Sequence, residues 1–212
     1  MSGDSARAAS VPSRPLRADA ARNRARIVEA AKLAFAEAGL DVGVEEIARR
    51  AGVGKGTLYR RFPTKEALVR AIFEDRLNEL ERLTTTAART AEPWDAFVRF
   101  LESAARMQAS DQGFLDVVAQ RMGPGVLSPQ HRRRFLELVS GPLKRAQQAG
   151  RVRADLVPED VPLLLRMLGV TTRAAPDGQP MEERWPRYLG LLLDGLRPEA
   201  ATPLAAEPWR PL

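Results

Sequence analysis

Residues 53–69 read VGKGTLYRRFPTKEALV, a basic stretch dotted with glycine and broken by a proline. Glycine and lysine side by side raise the question of a loop that cradles a nucleotide's phosphates. Such a loop needs a further glycine upstream of a Gly-Lys-Ser/Thr triplet, and it joins a strand to a helix. Here the upstream position 49 is Arg, Gly54-Lys55 is followed by Gly56, and the preceding segment has helical spacing. The dinucleotide-binding glycine pattern fails in the same way.

Helical periodicity accounts for the same residues. Val44, Ile47, Ala48 and Ala51 share one face of a helix over VEEIARRA, with Glu45 and Glu46 at its positive N-terminal end. Gly52, Val53 and Gly54 form a three-residue break. A short helix over KGTLYRRF follows, with Leu58 and Phe62 one turn apart, and Pro63 ends it because the residue before a proline is pushed out of the helical region. Thr64 then caps a long helix over 64–88. Upstream, Asp19 caps a helix to about Ala38 whose stripe is Ile27, Ala31, Ala34, Phe35 and Ala38, and Gly39 stops it. Two short helices joined by a glycine turn and buttressed by a third form a helix-turn-helix. Its second helix enters the major groove of DNA with its N-terminal residues foremost.

The side chains suit that task. Gly54 and Gly56 remove bulk where backbone N–H groups approach phosphate. Lys55, Tyr59 and Arg60 supply a cation, a long hydroxyl donor and a second cation for phosphate clamping, while Thr57 and Arg61 reach toward base edges. Leu58 and Phe62 are structural and lock the helix onto Ile47 and Ala51.

Charge points the same way. The formal net charge is +6, and residues 1–70 carry 14 Arg or Lys against 8 Asp or Glu, which is the whole excess. There is no cysteine and one histidine, His131, so thiol nucleophiles, disulfides and histidine-based metal sites are excluded. His131 reads as a solvated histidine at a helix start. No catalytic group, metal or cofactor is expected. Apolar runs such as those at 163–165 and 191–193 are far too short for a membrane span, and no apolar signal core follows the basic N-terminus. A cytoplasmic, nucleoid-associated protein is expected.

With these residues in view, the chain strongly resembles the TetR family of bacterial transcriptional regulators over about residues 20–80. The run Ile47, Ala48, Ala51, Gly52, Val53, Gly56, Thr57, Leu58, Tyr59, Phe62, Lys65, Glu66 and Leu68 carries the resemblance. It implies a DNA-facing set of Gly43, Gly54, Lys55, Gly56, Thr57, Tyr59, Arg60, Arg61 and Lys65, with Lys55 and Tyr59 on phosphates. Two positions depart from the family pattern. Gly43 and Gly54 stand where members often carry Ser or Thr, so two hydroxyl caps are missing. The arginines at 7, 14, 17, 22, 24 and 26 are either a DNA-contacting arm or, in their first part, a solvated tail.

Beyond about residue 85 the chain resembles the ligand-binding and dimerisation domain of the SbtR-like subgroup. An all-α protein of about nine helices follows, the later ones expected at 93–109, 111–122, 128–149, 158–174 and 181–196, with a kink at Pro142. The expected domains are a disordered basic arm over 1–18, a DNA-binding domain over 19–80, a ligand-binding and dimerisation domain over 81–197 and a proline-rich tail over 198–212. The resemblance implies a homodimer on a palindromic operator and an unknown small-molecule effector. Leu164, Leu168, Tyr188, Leu192 and Leu196 are the expected dimer face. Candidates for the ligand pocket are Phe73, Leu77, Phe97, Phe100 and Leu101, with Phe114, Val118, Phe135, Val139 and Thr171. At helical spacing such residues are more often plain core than pocket. Arg99, Arg106 or Arg166 can meet an anionic group or stand as exposed helix arginines. A rival reading is a DNA-binding protein of architectural role with no effector, and a pocket of roughly 300 Å³ between the middle helices discriminates the two.

Overall fold

The structure, a computed structural model, describes residues 14–88, 92–110, 128–170 and 185–204. All secondary structure among them is helical, with α1 at Arg14–Ala38, α2 at Val44–Ala51, α3 at Lys55–Arg61 and α4 at Lys65–Ala88. Then come α5 at Pro93–Ser110, α6 at Pro129–Gln148, α7 at Asp160–Val170 and α8 at Trp185–Gly195. A single 3-10 turn, Pro198–Ala200, lies in the stretch expected to be irregular. The expected helix over 111–122 lies outside the described residues, as do Phe114, Val118 and Thr171.

Two apolar cores form. The first gathers Ile27, Ala31 and Phe35 of α1, Ile47 and Ala51 of α2, Leu58 of α3 and Leu68, Val69 and Ile72 of α4. The second is built around α5, whose Phe97, Phe100 and Leu101 are completely buried against Leu80 of α4, Val139 and Leu143 of α6, Val161 and Leu165 of α7 and Leu189 of α8. Helix α4 thus contributes its first half to one core and its second half to the other. At Gly169 of α7 a Cβ would lie 2.0 Å from the Gln108 amide nitrogen of α5, so the present placement of that flexible side chain uses the space the glycine leaves.

Local sequence signals explain the helix ends. Gly39 and Gly52 end α1 and α2 with φ of 76° and 62°, the left-handed region that L side chains rarely adopt. The Gly52 N–H donates to the Ala48 and Arg49 carbonyls. Phe62, ahead of Pro63, sits at φ −134°, ψ 89°, outside the helical region. Thr64 Oγ1 accepts from the Ala67 N–H at 3.2 Å, and Ser128 Oγ accepts from the His131 N–H at 3.3 Å. Gly43 and Gly54 precede α2 and α3 in extended conformations (φ −65° and −67°) and give no side-chain cap.

Several expectations are corrected. The backbone is helical from Arg14, not from Asp19, because Pro15 falls in the first turn, where its missing N–H costs nothing. Asp19 lies inside that helix and pairs with Arg22 one turn on. Helix α6 is continuous through Pro142, which leaves the expected kink, a bend rather than a break, neither supported nor contradicted. His131 is buried rather than solvated: its Nδ1 meets Ser128 Oγ at 2.7 Å, its Nε2 lies 3.5 Å from Glu74, and its ring tilts against Phe73. Leu168 and Leu196, expected at a dimer face, belong to the second core, and Leu164 and Leu192 pack against it. Consecutive leucines cover more than half a helix circumference, so periodicity alone does not say which face turns inward.

The backbone angles give opposite signs for two glycine substitutions. Gly52→Ala forces an L residue to positive φ and crowds the Arg26 guanidinium, and is expected to lower stability by about 1–2 kcal/mol. Gly54→Ser meets open space, restricts the unfolded chain and supplies a cap, and is expected to raise stability by about 0.5–1 kcal/mol. Urea unfolding of the three proteins checks both signs.

Candidate nucleic-acid interface

Helix α3 is fixed by one buried leucine and presents the rest. Leu58 is fully buried in the first core, and Phe62 beside it is nearly so. The i, i+4 spacing of these two turns Lys55, Gly56, Tyr59 and Arg60 outward, all exposed, and leaves Thr57 half-buried and Arg61 exposed. Apart from the adjoining backbone, no atom lies within 4 Å of where a Cβ would stand at Gly54 or Gly56. The start of α3 is therefore open for backbone N–H groups to meet an anion.

The basic residues around this surface divide into two groups. Most are engaged within the protein. Arg24 holds Asp75 of α4 through two contacts of 2.6 and 2.9 Å, and Arg26 donates to the Gly52 carbonyl at 3.3 Å. Arg49 and Arg50 share Glu46, and Arg50 also reaches Glu37 at 2.5 Å. The two guanidinium groups hold the Glu46 carboxyl down to about 2. Lys65, expected at the DNA surface, instead donates to the Leu40 carbonyl at 2.7 Å and pins the start of α4 to the loop after α1. Arg60 and Arg61 make no ion pair among the described residues. Lys55 stands between the groups: it is exposed, pairs with Glu45 of α2, and lies 5.7 Å from the Tyr59 ring centroid. The Glu45 hydrogen bond raises its pKa further, so it is a cation throughout the physiological range.

The sequence candidates for a ligand pocket are distributed differently from the expectation. Phe97, Phe100, Leu101 and Val139 are core without exposure, and Leu77 is buried. Phe73 packs on the edge of the first core, and Phe135 on the edge of the second, its ring 5.9 Å from that of Phe100. Because α5 is wrapped by α4, α6, α7 and α8, its apolar residues are consumed by packing. Among the described residues a cleft of about 290 Å³ lies between α5 and α8, bounded by Glu102, Arg106, Trp185, Pro186, Leu189 and Leu193. The Arg106 guanidinium lies 5.8 Å from the Trp185 ring centroid. Of the three arginines considered for an anionic group, Arg106 borders this cleft. Sequence reading missed Trp185 and Glu102, and the i, i+4 spacing of Glu102 and Arg106 was the available signal.

Comparisons with known proteins agree with this architecture. Residues 27–72 match the model of bacterial regulatory proteins of the tetR family. Residues 92–198 match the C-terminal domain of SbtR-like transcriptional regulators. The HTH-type transcriptional regulator UidR of Escherichia coli K12 is 30% identical over 152 residues, covering 66% of this chain and 74% of the relative. Among solved structures, a TetR transcription regulatory protein from Mycobacterium vanbaalenii is 39% identical at a TM-score of 0.64, covering 86% of this chain and 99% of that one. A gamma-butyrolactone receptor, described as ArpA-like, is 26% identical at a TM-score of 0.57, covering 85% and 90%. No helix among the described residues is long and apolar enough to cross a membrane. With an exposed α3 on a helix-turn-helix and both halves matched, the chain belongs to the TetR family and is a DNA-binding transcriptional regulator.

Proposed function

We propose that the protein is a homodimeric repressor that grips a palindromic operator and lets go when a small amphipathic ligand binds. Its head is residues 19–80 and its body residues 81–197. It acts in the cytoplasm on the nucleoid, without a cofactor or an enzymatic step. In the head, Lys55, Tyr59 and Arg60 hold phosphates while Thr57 and Arg61 meet base edges.

The observation that carries the dimer is an apolar stripe left uncovered on the last two helices. Leu163 (37%) and Met167 (65% exposed) stand one turn apart on α7, and Tyr188 (37%) and Leu191 (61%) one turn apart on α8. Large uncovered apolar patches on soluble proteins mark interfaces. A two-fold pairing through one such patch satisfies both copies at once. It also fixes the distance between two heads, which must match half-sites about 34–36 Å apart or a multiple of that.

The α5–α8 cleft supports the ligand. Apolar walls from Leu189, Leu193 and Pro186 suit an apolar body, and Arg106 and Glu102 suit a polar end. Likeness to a gamma-butyrolactone receptor supports a ligand of that size and character. The cleft has about the volume asked of an effector site, but it lies against the last helix rather than between the middle helices, so the effector-free architectural reading stays open to the same test. Release requires only that the ligand prefer one head spacing over the other, and the shift is limited to that preference.

Leu191→Glu tests the dimer. The variant is expected to sediment as a monomer with nearly parental melting, and to lose about a hundredfold or more in affinity for a selected operator. Leu192→Glu strikes the protein's own core and is expected to lower stability instead. A monomeric Leu191→Glu variant that still binds the operator tightly would sink the dimer mechanism. For the head, Lys55→Ala is expected to lose about tenfold on the selected operator and to flatten its salt dependence by about one unit of slope. Arg61→Ala is expected to return a different preferred site when duplexes are selected from a random pool. Recovery of the parental site would remove Arg61 from base reading.

A further inference from the structure

The polar rim of the α5–α8 cleft is made of two opposite charges that do not meet. Glu102 and Arg106 stand one turn apart on α5, in the order that favours an i, i+4 ion pair. Both are exposed, and neither has an ion-pair partner among the described residues. The Arg106 guanidinium lies instead 5.8 Å from the centroid of the Trp185 ring, which is buried. A guanidinium over an aromatic ring retains its N–H donors for a further partner. Across the cleft, Leu189 and Leu193 of α8 form an apolar wall. Between them, at Gly190, a Cβ would meet nothing within 4 Å beyond its chain neighbours and its own helix backbone. The cleft thus joins an open apolar side to a rim that holds an acceptor and a donor apart.

We propose that the effector taken by this cleft carries a neutral secondary carboxamide as its polar head, on an apolar tail. The inference rests on the cleft being the effector site. Arg106 alone would suit a carboxylate, but Glu102 on the same rim repels one. An ammonium meets the reverse, attraction by Glu102 and repulsion by Arg106. Either ionic head also loses part of its hydration against the apolar wall. Further along the same exposed face, Asp95 and Arg99 add one charge of each sign, so the rim offers no net attraction to either ion. A secondary amide escapes both repulsions. Its C=O and N–H point in opposite senses, so it can lie between the two side chains, accepting from Arg106 and donating to Glu102. Its tail then runs along Leu189 and Leu193. Because both rim charges are solvent-exposed, each shifts affinity only a fewfold, and selection comes from the two acting together.

The test is isothermal titration calorimetry on the full-length protein, at neutral pH and low salt, with N-methyloctanamide, octanoate and octylammonium. The amide is expected to bind about fivefold more tightly than either ion. In Glu102→Gln, octanoate is expected to gain about threefold while the amide changes by less than about twofold, since the glutamine carbonyl still accepts. In Arg106→Gln, octylammonium is expected to gain about threefold and octanoate to weaken. Gly190→Leu fills the open space between the apolar residues and exchanges a poor helix former for a good one. It is expected to melt no lower than the parent and to abolish binding of all the probes. Parental binding of octanoate or octylammonium as tight as that of the amide overturns the proposal. So does Glu102→Gln that leaves octanoate unimproved, and so does amide binding that survives Gly190→Leu, because the probe then lies elsewhere. Failure of every probe to bind the parent removes the cleft as an effector site, and with it the reading on which the proposal rests. Parental melting of Glu102→Gln and Arg106→Gln separates these outcomes from a folding defect.

Discussion

Helix α4 is one rigid element shared between two cores, and this constraint organises the molecule. Its Leu68, Val69 and Ile72 belong with α1, α2 and α3, while its Leu80 belongs with α5. Midway along, neighbouring acids face opposite partners. Asp75 is held by Arg24 of α1, and Glu74, Asn78 and Glu81 are all held by Arg134 of α6. Arg134 keeps its charge firmly, its pKa raised chiefly by Glu81. A packed helix with fixed contacts on both sides moves as a unit rather than bending, because interiors are dense and have few alternative packings. Arg24 and Arg134 thus tie α1 and α6 to the same stretch of α4.

The head manages with few free charges. Counting arginines and lysines over residues 1–70 suggests a broad basic surface, yet Arg24, Arg26, Arg49, Arg50 and Lys65 all have partners inside the protein. Among the described residues, the surface proposed for DNA is narrow: Tyr59, Arg60 and Arg61, with Lys55 paired to Glu45 at its edge and the open backbone at Gly54 and Gly56. A narrow contact gives a single head only a modest grip. The proposed dimer would offset this, since with two linked heads the second contact forms at high effective concentration.

Much of this was legible in the sequence, and what was not has physical causes. Glycine at positive φ, proline after a helix and Thr or Ser at a cap are local signals, so the ends of α2, α3, α4 and α6 could be read directly. Leu58 and Phe62 fixed the register of α3 for the same reason. Partner choice is different, because it depends on which helices meet. Nothing in the sequence tells that Lys65 reaches Leu40, that Glu74 takes up both His131 and Arg134, or that the inward face of α7 is Val161, Leu165 and Leu168 rather than Leu163 and Met167. The aromatic residues of α5 could serve as core or pocket until four helices were found around them.

The end of α8 carries a consequence of its own. The loop after α6 is pinned by Gln147, whose amide donates to the Arg153 and Leu156 carbonyls at 3.0 and 2.8 Å. From that loop the Arg153 N–H donates to the Leu196 carbonyl at 3.0 Å, and its guanidinium reaches the Thr202 carbonyl at 2.5 Å. Arg197 stacks 3.8 Å from the Trp94 ring centroid at the start of α5. The last helix is thus tied into its own chain at its far end, and it is not available to trade places with that of a neighbour. In the proposed dimer, association through its outer face would join surfaces that are already folded, so mixed pairs of wild-type and variant chains would form at the speed of dissociation, without unfolding.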